Sequence, residues 1–318
     1  MTDLPINNPQ VSILIPVYNR KQYIAECIQS ALNQIFKDFE IVLVDNASND
    51  GTWEICQQFA ALDQRVRIFR NETNIGPVRN WIRCAHEAKG VFSKVLFSDD
   101  SLEPSCLSEM VPILSDPEVA LVYCAARIGK SRDQSFVAYS QVTSSRFSTR
   151  QFINLVISGN APVSPCAVLI RTTDFLNNLH PTFPTATPRQ FDINGAGPDV
   201  MVLLLTAQHY RYVANICNVL VYFRAHNDSF SIQNLNNNVV NGYHSSISLY
   251  LINNYKRNVW LDYLAQTWLR NTLLTKKWRS PIAHLIEYEG CGSVAELLQF
   301  CIFVFRHALK LICRKFVN

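Results

Sequence analysis

Residues 94–104 read Lys-Val-Leu-Phe-Ser-Asp-Asp-Ser-Leu-Glu-Pro. The apolar run Val95 to Phe97 breaks off in Ser98, Asp99 and Asp100. Such a run predicts a buried strand that delivers two carboxylates to one edge of a sheet. Ligands of open α/β sheets bind at those carboxyl edges. Adjacent carboxylates repel each other unless a cation or a set of donors holds them. A hard divalent ion that shares its shell with a phosphate meets that need. A strand ending in an Asp-capped turn would use the same residues with no ligand at all, so the surrounding elements carry the decision.

Those elements alternate. Val11 to Val17 is an apolar run followed by Tyr18-Asn19-Arg20. Ile24, Cys27, Ile28, Ala31, Leu32 and Ile35 fall on one face of a helix. A second strand over Glu40 to Val44 ends in Asp45-Asn46. Asp50 then caps a helix with the expected buried stripe Ile55, Cys56, Phe59 and Leu62. Val66 to Phe69 is a third strand, and Asn74-Ile75-Gly76-Pro77 opens a third helix, Pro77 suiting its first turn. This β-α-β-α-β-α-β order predicts an α/β fold, a mostly parallel sheet flanked by helices. The first strand-to-helix turn lacks the Gly-x-Gly-x-x-Gly that lets a dinucleotide oxidoreductase bring backbone against a pyrophosphate. Asp45, expected to be exposed at a strand tip, can accept hydrogen bonds from a base or ribose, or serve as a turn residue.

The chain has 318 residues, 48% hydrophobic and 17% charged, which describes a globular protein of one large domain plus an appendage, or two domains. No apolar run reaches the roughly 18 residues of a membrane-spanning helix, and the polar start Met1 to Gln10 has no signal-peptide pattern. The ten cysteines form no Cys-x-x-Cys pair, which argues against a zinc module and for small buried hydrophobes in a reducing, cytoplasmic setting. The net charge of +4 is uneven: residues 240–318 carry +6, the remainder −2.

Four stretches, in this order, resemble the family 2 glycosyltransferases of the GT-A fold. They are Val11-Ser-Ile-Leu-Ile-Pro-Val-Tyr-Asn19, Glu40-Ile-Val-Leu-Val-Asp-Asn-Ala-Ser-Asn-Asp-Gly-Thr52, Asn74-Ile-Gly-Pro-Val-Arg-Asn80 and Phe97-Ser-Asp-Asp-Ser-Leu-Glu-Pro104. The resemblance implies an inverting enzyme with a nucleoside-diphosphate sugar, a UDP-sugar in the first instance, as donor. It would place Pro16, Tyr18 and Asn19 around the nucleoside, Asp45 on the base and Arg79 near base and phosphates. Asp99 would contact the ribose. Asp100 would hold a Mn²⁺ or Mg²⁺ ion that bridges the phosphates and neutralises charge on the leaving group. Asn46 stands where many relatives carry a second acid.

Beyond residue 105 the pattern is mixed. Val119 to Tyr123, Cys166 to Arg171 and Val219 to Arg224 read as strands, Gln151 to Ile157 as a short helix, and 125–150 as irregular structure facing an acceptor. Asp199 sits in the first turn of a nearly all-apolar helix, where an acid complements the helix dipole. The resemblance makes it the catalytic base, with Asp192 as fallback and Pro198 in place of the usual Glu. Inverting transfer needs a base beside the acceptor hydroxyl, on the face opposite the leaving phosphate. Phe223-Arg224-Ala-His226 resembles the family's Arg-x-His segment, which would bring His226 to the metal or diphosphate; a purely structural histidine is the other reading.

The expected plan is a GT-A domain over 1–231, with a nucleotide-binding half (11–104) and an acceptor half (105–231), followed by a helical extension over 232–318. In the last helix, about 294–316, Arg306, Lys310 and Arg314 recur every four residues. That suits an interfacial helix on the anionic inner face of a membrane, or a core helix with a solvated face. No nucleic-acid motif accompanies the charge. The expected acceptor is a hydroxyl of a glycan or lipid-linked glycan. Two other readings stay open: a non-catalytic nucleotide-binding or scaffolding protein of the same fold, and a nucleotidyltransferase. The latter would want a Gly-rich basic loop where only Arg20 and Lys21 stand.

Overall fold

The computed structural model describes residues 8–185, 189, 191–226, 238–275, 280, 283–284 and 294–317. Strands β1 (Val11–Val17), β2 (Phe39–Asp45), β3 (Val66–Arg70) and β4 (Phe92–Val95) lie parallel in the order β3-β2-β1-β4. Helices α1 (Ile24–Leu32), α2 (Thr52–Leu62) and α3 (Pro77–Glu87) connect them. Every residue of β1 and β2 is buried, as a sheet covered on both faces requires. Side chains of a strand alternate between faces. Leu14, Val42 and Val44 accordingly enter one hydrophobic cluster, and Ile13, Ile15, Ile41 and Leu43 the other.

The second half widens this into a ten-stranded mixed sheet. Two-residue β5 (Ser101–Leu102) is followed by α4 (Cys106–Leu114) and the long β6 (Val119–Gly129). Short β7 (Ser135–Ala138) and β8 (Ser145–Ser148) precede α5 (Thr149–Ile157). Then come β9 (Val168–Arg171), α6 (Thr172–Asn178), α7 (Phe191–Asn194), α8 (Pro198–Ala207) and β10 (Tyr212–Arg224). β9 runs antiparallel to both β4 and β6, while β10 runs parallel to β6. The chain closes with α9 (Asn238–Asn254), α10 (Arg257–Thr275) and α11 (Val294–Val317). Leu251, Trp260, Leu264 and Phe300 of these helices share one cluster with Leu14 and Val44 of the sheet. The C-terminal helices therefore complete one face of the sheet instead of building a core of their own. Among the described residues, no helix is long and apolar enough to cross a membrane.

The structure corrects several expectations. Helix α1 ends at Leu32, so Ile35 lies past its last turn and is 61% exposed; Leu62, the last residue of α2, is 84% exposed. β4 stops at Val95, and residues 96–100 form the turn into β5, with the Asp100 amide donating to Phe97 O at 2.9 Å. Cys166 belongs to a 3-10 turn, Pro165–Ala167, ahead of β9. The stretch 125–150 is not irregular throughout. β6 continues to Gly129, β7 pairs with β6, and β8 pairs with β10. These strands sit off the main path of the sheet and are largely exposed, so their residues carry no apolar alternation to read.

Candidate active site

The carboxyl ends of β1 and β4, the N-termini of α3 and α8, and helix α9 enclose a cavity of about 920 Å³. Local backbone chemistry sets its walls. Gly76, at φ +84°, turns the chain into α3 with Pro77 at the helix start; Gly197, at φ +123°, does the same for α8 with Pro198. Only glycine takes such angles without strain, and both helix starts thereby face the cavity.

One wall is the Asp99–Asp100 turn. Oδ2 of Asp99 lies 3.4 Å from Arg20 Nε and 3.0 Å from His226 Nε2. Asp100 is 7% exposed; its Oδ1 accepts from the Arg224 amide at 2.9 Å, and Cys166 Sγ donates to Oδ2 at 3.6 Å. Burial first, and the neighbouring Asp99 second, hold the Asp100 carboxyl well above the usual range. The His226 ring packs on Tyr23 at 4.6 Å between centroids, and its buried Nδ1 has no hydrogen-bond partner among the described residues. Two crowded carboxylates, one of them in contact with the His226 Nε2, are a donor set that fits a divalent cation. Among the described residues no group of three or more His, Cys, Asp or Glu side chains could hold a metal ion by itself.

The same cavity is lined by Asp199, which is 5% exposed. Its Oδ1 accepts from the amides of Gly197 and Val200, both at 2.8 Å, and Oδ2 accepts from the Tyr243 hydroxyl at 2.7 Å. Burial raises the carboxyl to about 7 even though all three hydrogen bonds pull it down. A carboxyl near 7 is suited to take a proton at neutral pH.

Of the residues singled out in the sequence, Pro16, Tyr18, Asp99, Asp100, Asp192 and Asp199 line this cavity. The others stand elsewhere. Asn19, at φ +49°, ties two loops, its Oδ1 accepting from the Asn49 amide at 3.0 Å. Arg79 is on the exposed face of α3. His226 sits behind Asp99, outside the lining. Asp45 is not exposed but fully buried. It pairs with Arg70 Nε at 3.1 Å and accepts from the Ser48 amide at 3.1 Å. Parallel β2 ends beneath the 45–48 turn, so its last side chain points inward. Asn46 takes the place at the cavity. Its amide nitrogen donates to Asn74 Oδ1 at 2.8 Å, while its oxygen accepts from Asn71 Nδ2 and the Ile75 amide, both at 3.0 Å. A carboxylate there would have no proton to give Asn74, which is why an amide fits.

Asp45→Ala should accordingly destabilise the fold by about 1–3 kcal/mol, because it strands the buried Ser48 amide and the inner edge of Arg70. Urea denaturation checks this; an unchanged midpoint would mean the Arg70 pair contributes nothing. The sequence reading missed Tyr139 and Tyr243 and gave Arg20 and Arg224 no place in this site. Tyr139 lies in an unpatterned stretch at φ +61°, and nothing near Tyr243 signals proximity to Asp199.

The fold and site together define an open α/β protein with an adjacent acid pair and a separate buried acid lining one cavity. A family model described as Glycosyl transferase family 2 matches residues 12–175, and the chain belongs to that family. It is 34% identical over 120 residues to the putative glycosyltransferase EpsH of Bacillus subtilis (strain 168), a match covering 37% of this chain and 34% of that protein. It is 40% identical over 124 residues to the chondroitin synthase of Escherichia coli, covering 37% of this chain and 17% of the synthase. The chain thus spans well under half of these curated relatives. Among solved structures, S. aureus TarS 1-349 in complex with UDP-GlcNAc superposes with a TM-score of 0.64 at 16% identity, covering 92% of this chain and 79% of TarS 1-349. That likeness establishes the GT-A fold.

Proposed function

We propose that this protein is an inverting glycosyltransferase that moves a sugar from a nucleoside-diphosphate sugar to a hydroxyl of a glycan or lipid-linked glycan. The observation that carries this reading is the convergence of two separate acidic elements on one cavity: Asp99 and Asp100 from the turn between β4 and β5, and a buried Asp199 carboxyl near 7 from the start of α8. The UDP-GlcNAc held by the TarS structure supports a UDP-sugar as first donor to test.

Asp100 and His226 would hold a Mn²⁺ or Mg²⁺ ion, which when bound offsets the negative charge of the departing diphosphate. Arg20, at the same wall, can carry part of that charge, and the Asn46 network fixes the loop before α3 beside the nucleoside end. Asp199 takes the proton of the acceptor hydroxyl. The acceptor oxygen bonds to the anomeric carbon from the Asp199 side, and the bond to the diphosphate oxygen breaks with its electron pair on the leaving group. Attack opposite the leaving group inverts the anomeric centre.

A thermal-shift screen of nucleotide sugars with and without Mn²⁺ tests donor binding, since a ligand that binds only the folded state raises the melting point. Hydrolysis of the selected donor separates a transferase from a binder. No metal-dependent shift with any nucleotide sugar would sink the proposal.

We also propose that α11 rests on an anionic membrane surface, chiefly through its apolar side, since Arg306 of the expected basic stripe pairs with Asp262 at 2.7 Å and the side chains of Lys310 and Arg314 lie outside the described residues. Leu298, Ile302 and Phe305 are 60–65% exposed along one side of this helix while Phe300 is buried against the body. Ile302→Asp with Phe305→Asp leaves the packed side untouched. It should weaken binding to phosphatidylserine vesicles at least about tenfold, since burying such a side chain is worth about 1.5–3 kcal/mol. If the unaltered protein ignores those vesicles at low salt, the helix serves only as packing.

A further inference from the structure

The carboxylate of Asp199 has about four lone-pair sites. The amides of Gly197 and Val200 occupy both sites of Oδ1, and the Tyr243 hydroxyl occupies one site of Oδ2. Among the described residues, one site, on Oδ2, is left. The two amides belong to Asp199's own turn, two residues before it and one after, and anchor one oxygen only. The bond from Tyr243 is what sets the direction of the other.

Tyr243 comes from α9, 44 residues further along the chain. The helix lies directly on the loop that carries Asp199. A Cβ added to Gly242 would stand 2.4 Å from Ala196 O, and one added to Gly197 would stand 2.6 Å from Ser246 Oγ. Neither contact leaves room for α9 to slide. The groups facing Asp199 are the Tyr243 phenol from α9 and the Tyr139 phenol from the chain after β7, with Asp192 of α7 in the same cavity. Burial, then the Asp199 charge, raises both phenols, Tyr139 to about 12 and Tyr243 well above its ordinary value. Tyr243 therefore keeps its proton and acts as a donor throughout the working range.

We propose that Tyr243 is a positioning residue for glycosyl transfer: its hydroxyl orients Oδ2 of Asp199 so that the single free lone pair of that carboxylate meets the acceptor hydroxyl. The C-terminal helix is thereby part of the acceptor-side machinery and not an appendage. This rests on Asp199 being the base.

Tyr243→Phe removes one oxygen and keeps the ring, so the melting point should stay within a few degrees of wild type. The carboxyl stretch that Asp199→Asn removes from the infrared spectrum identifies Asp199 in the protein alone. In Tyr243→Phe that band should titrate about one pH unit higher, a tenfold gain in proton affinity. Turnover with UDP-GlcNAc, Mn²⁺ and water should show the same displacement of its acid limb and a kcat at least about tenfold lower, with the KM for donor unchanged. A Tyr243→Phe band that titrates like wild type overturns the proposal, whatever the turnover. Wild-type turnover by Asp199→Asn overturns the base assignment instead, and the two failures are thereby told apart.

Discussion

Asp199→Asn is expected to bind donor and cation like wild type while transfer falls by about a hundred- to ten-thousandfold, the usual worth of general-base catalysis. The substitution is nearly isosteric. The amide oxygen can still accept from Gly197 and Val200, and the amide nitrogen can donate to the Tyr243 oxygen in place of accepting from it. Only the ability to take a proton is lost. Calorimetry with the donor and single-turnover transfer read the two halves of the expectation. Transfer within a fewfold of wild type would remove Asp199 from the chemistry and turn attention to Asp192. In wild type the rate should fall as pH drops through about 7, where the carboxyl gains its proton. Stability carries the same signature. A carboxyl raised in the folded state contributes stability that is fully present below its unfolded value of 3.8 and is lost as pH rises through about 7. Melting curves from pH 4 to pH 8 should therefore shift in favour of the Asn variant as pH rises; a constant gap would contradict the burial of the charge.

Asp100→Asn is expected to abolish metal-dependent donor binding, weakening Mn²⁺-supported affinity for UDP by more than about a hundredfold. The asparagine oxygen can still accept from the Arg224 amide, so the turn between β4 and β5 should keep its shape. What disappears is the charge. In wild type that charge is buried beside Asp99, with Arg224 amide and Cys166 thiol as its hydrogen-bond donors. A divalent cation would satisfy both carboxylates, and an amide beside Asp99 leaves too little charge to strip water from a hard ion. Calorimetry with UDP, with and without Mn²⁺, measures the effect. Unchanged Mn²⁺-dependent affinity would return Asp100 to a structural role.

Much of the site was legible in the residues themselves. The alternation of apolar runs and helical stripes set β1 through β4 and α1 through α3, because periodicity is a local property of the chain. The same pattern brought Asp99 and Asp100 to the carboxyl edge of the sheet and Asp199 to the first turn of α8. Three things were decided only by packing. Asp45 turned inward to Arg70, since a strand tip is exposed or buried according to which loop closes over it. β7 and β8 formed at positions without apolar pattern, because the hydrogen-bonding edges of β6 and β10 recruited them. The Asp199 carboxyl stands near 7 because removal from water raises it while a hydroxyl delivered 44 residues later by α9 pulls it down. Spacing along a chain places an acid on a helix; its proton affinity depends on everything else that packs around it.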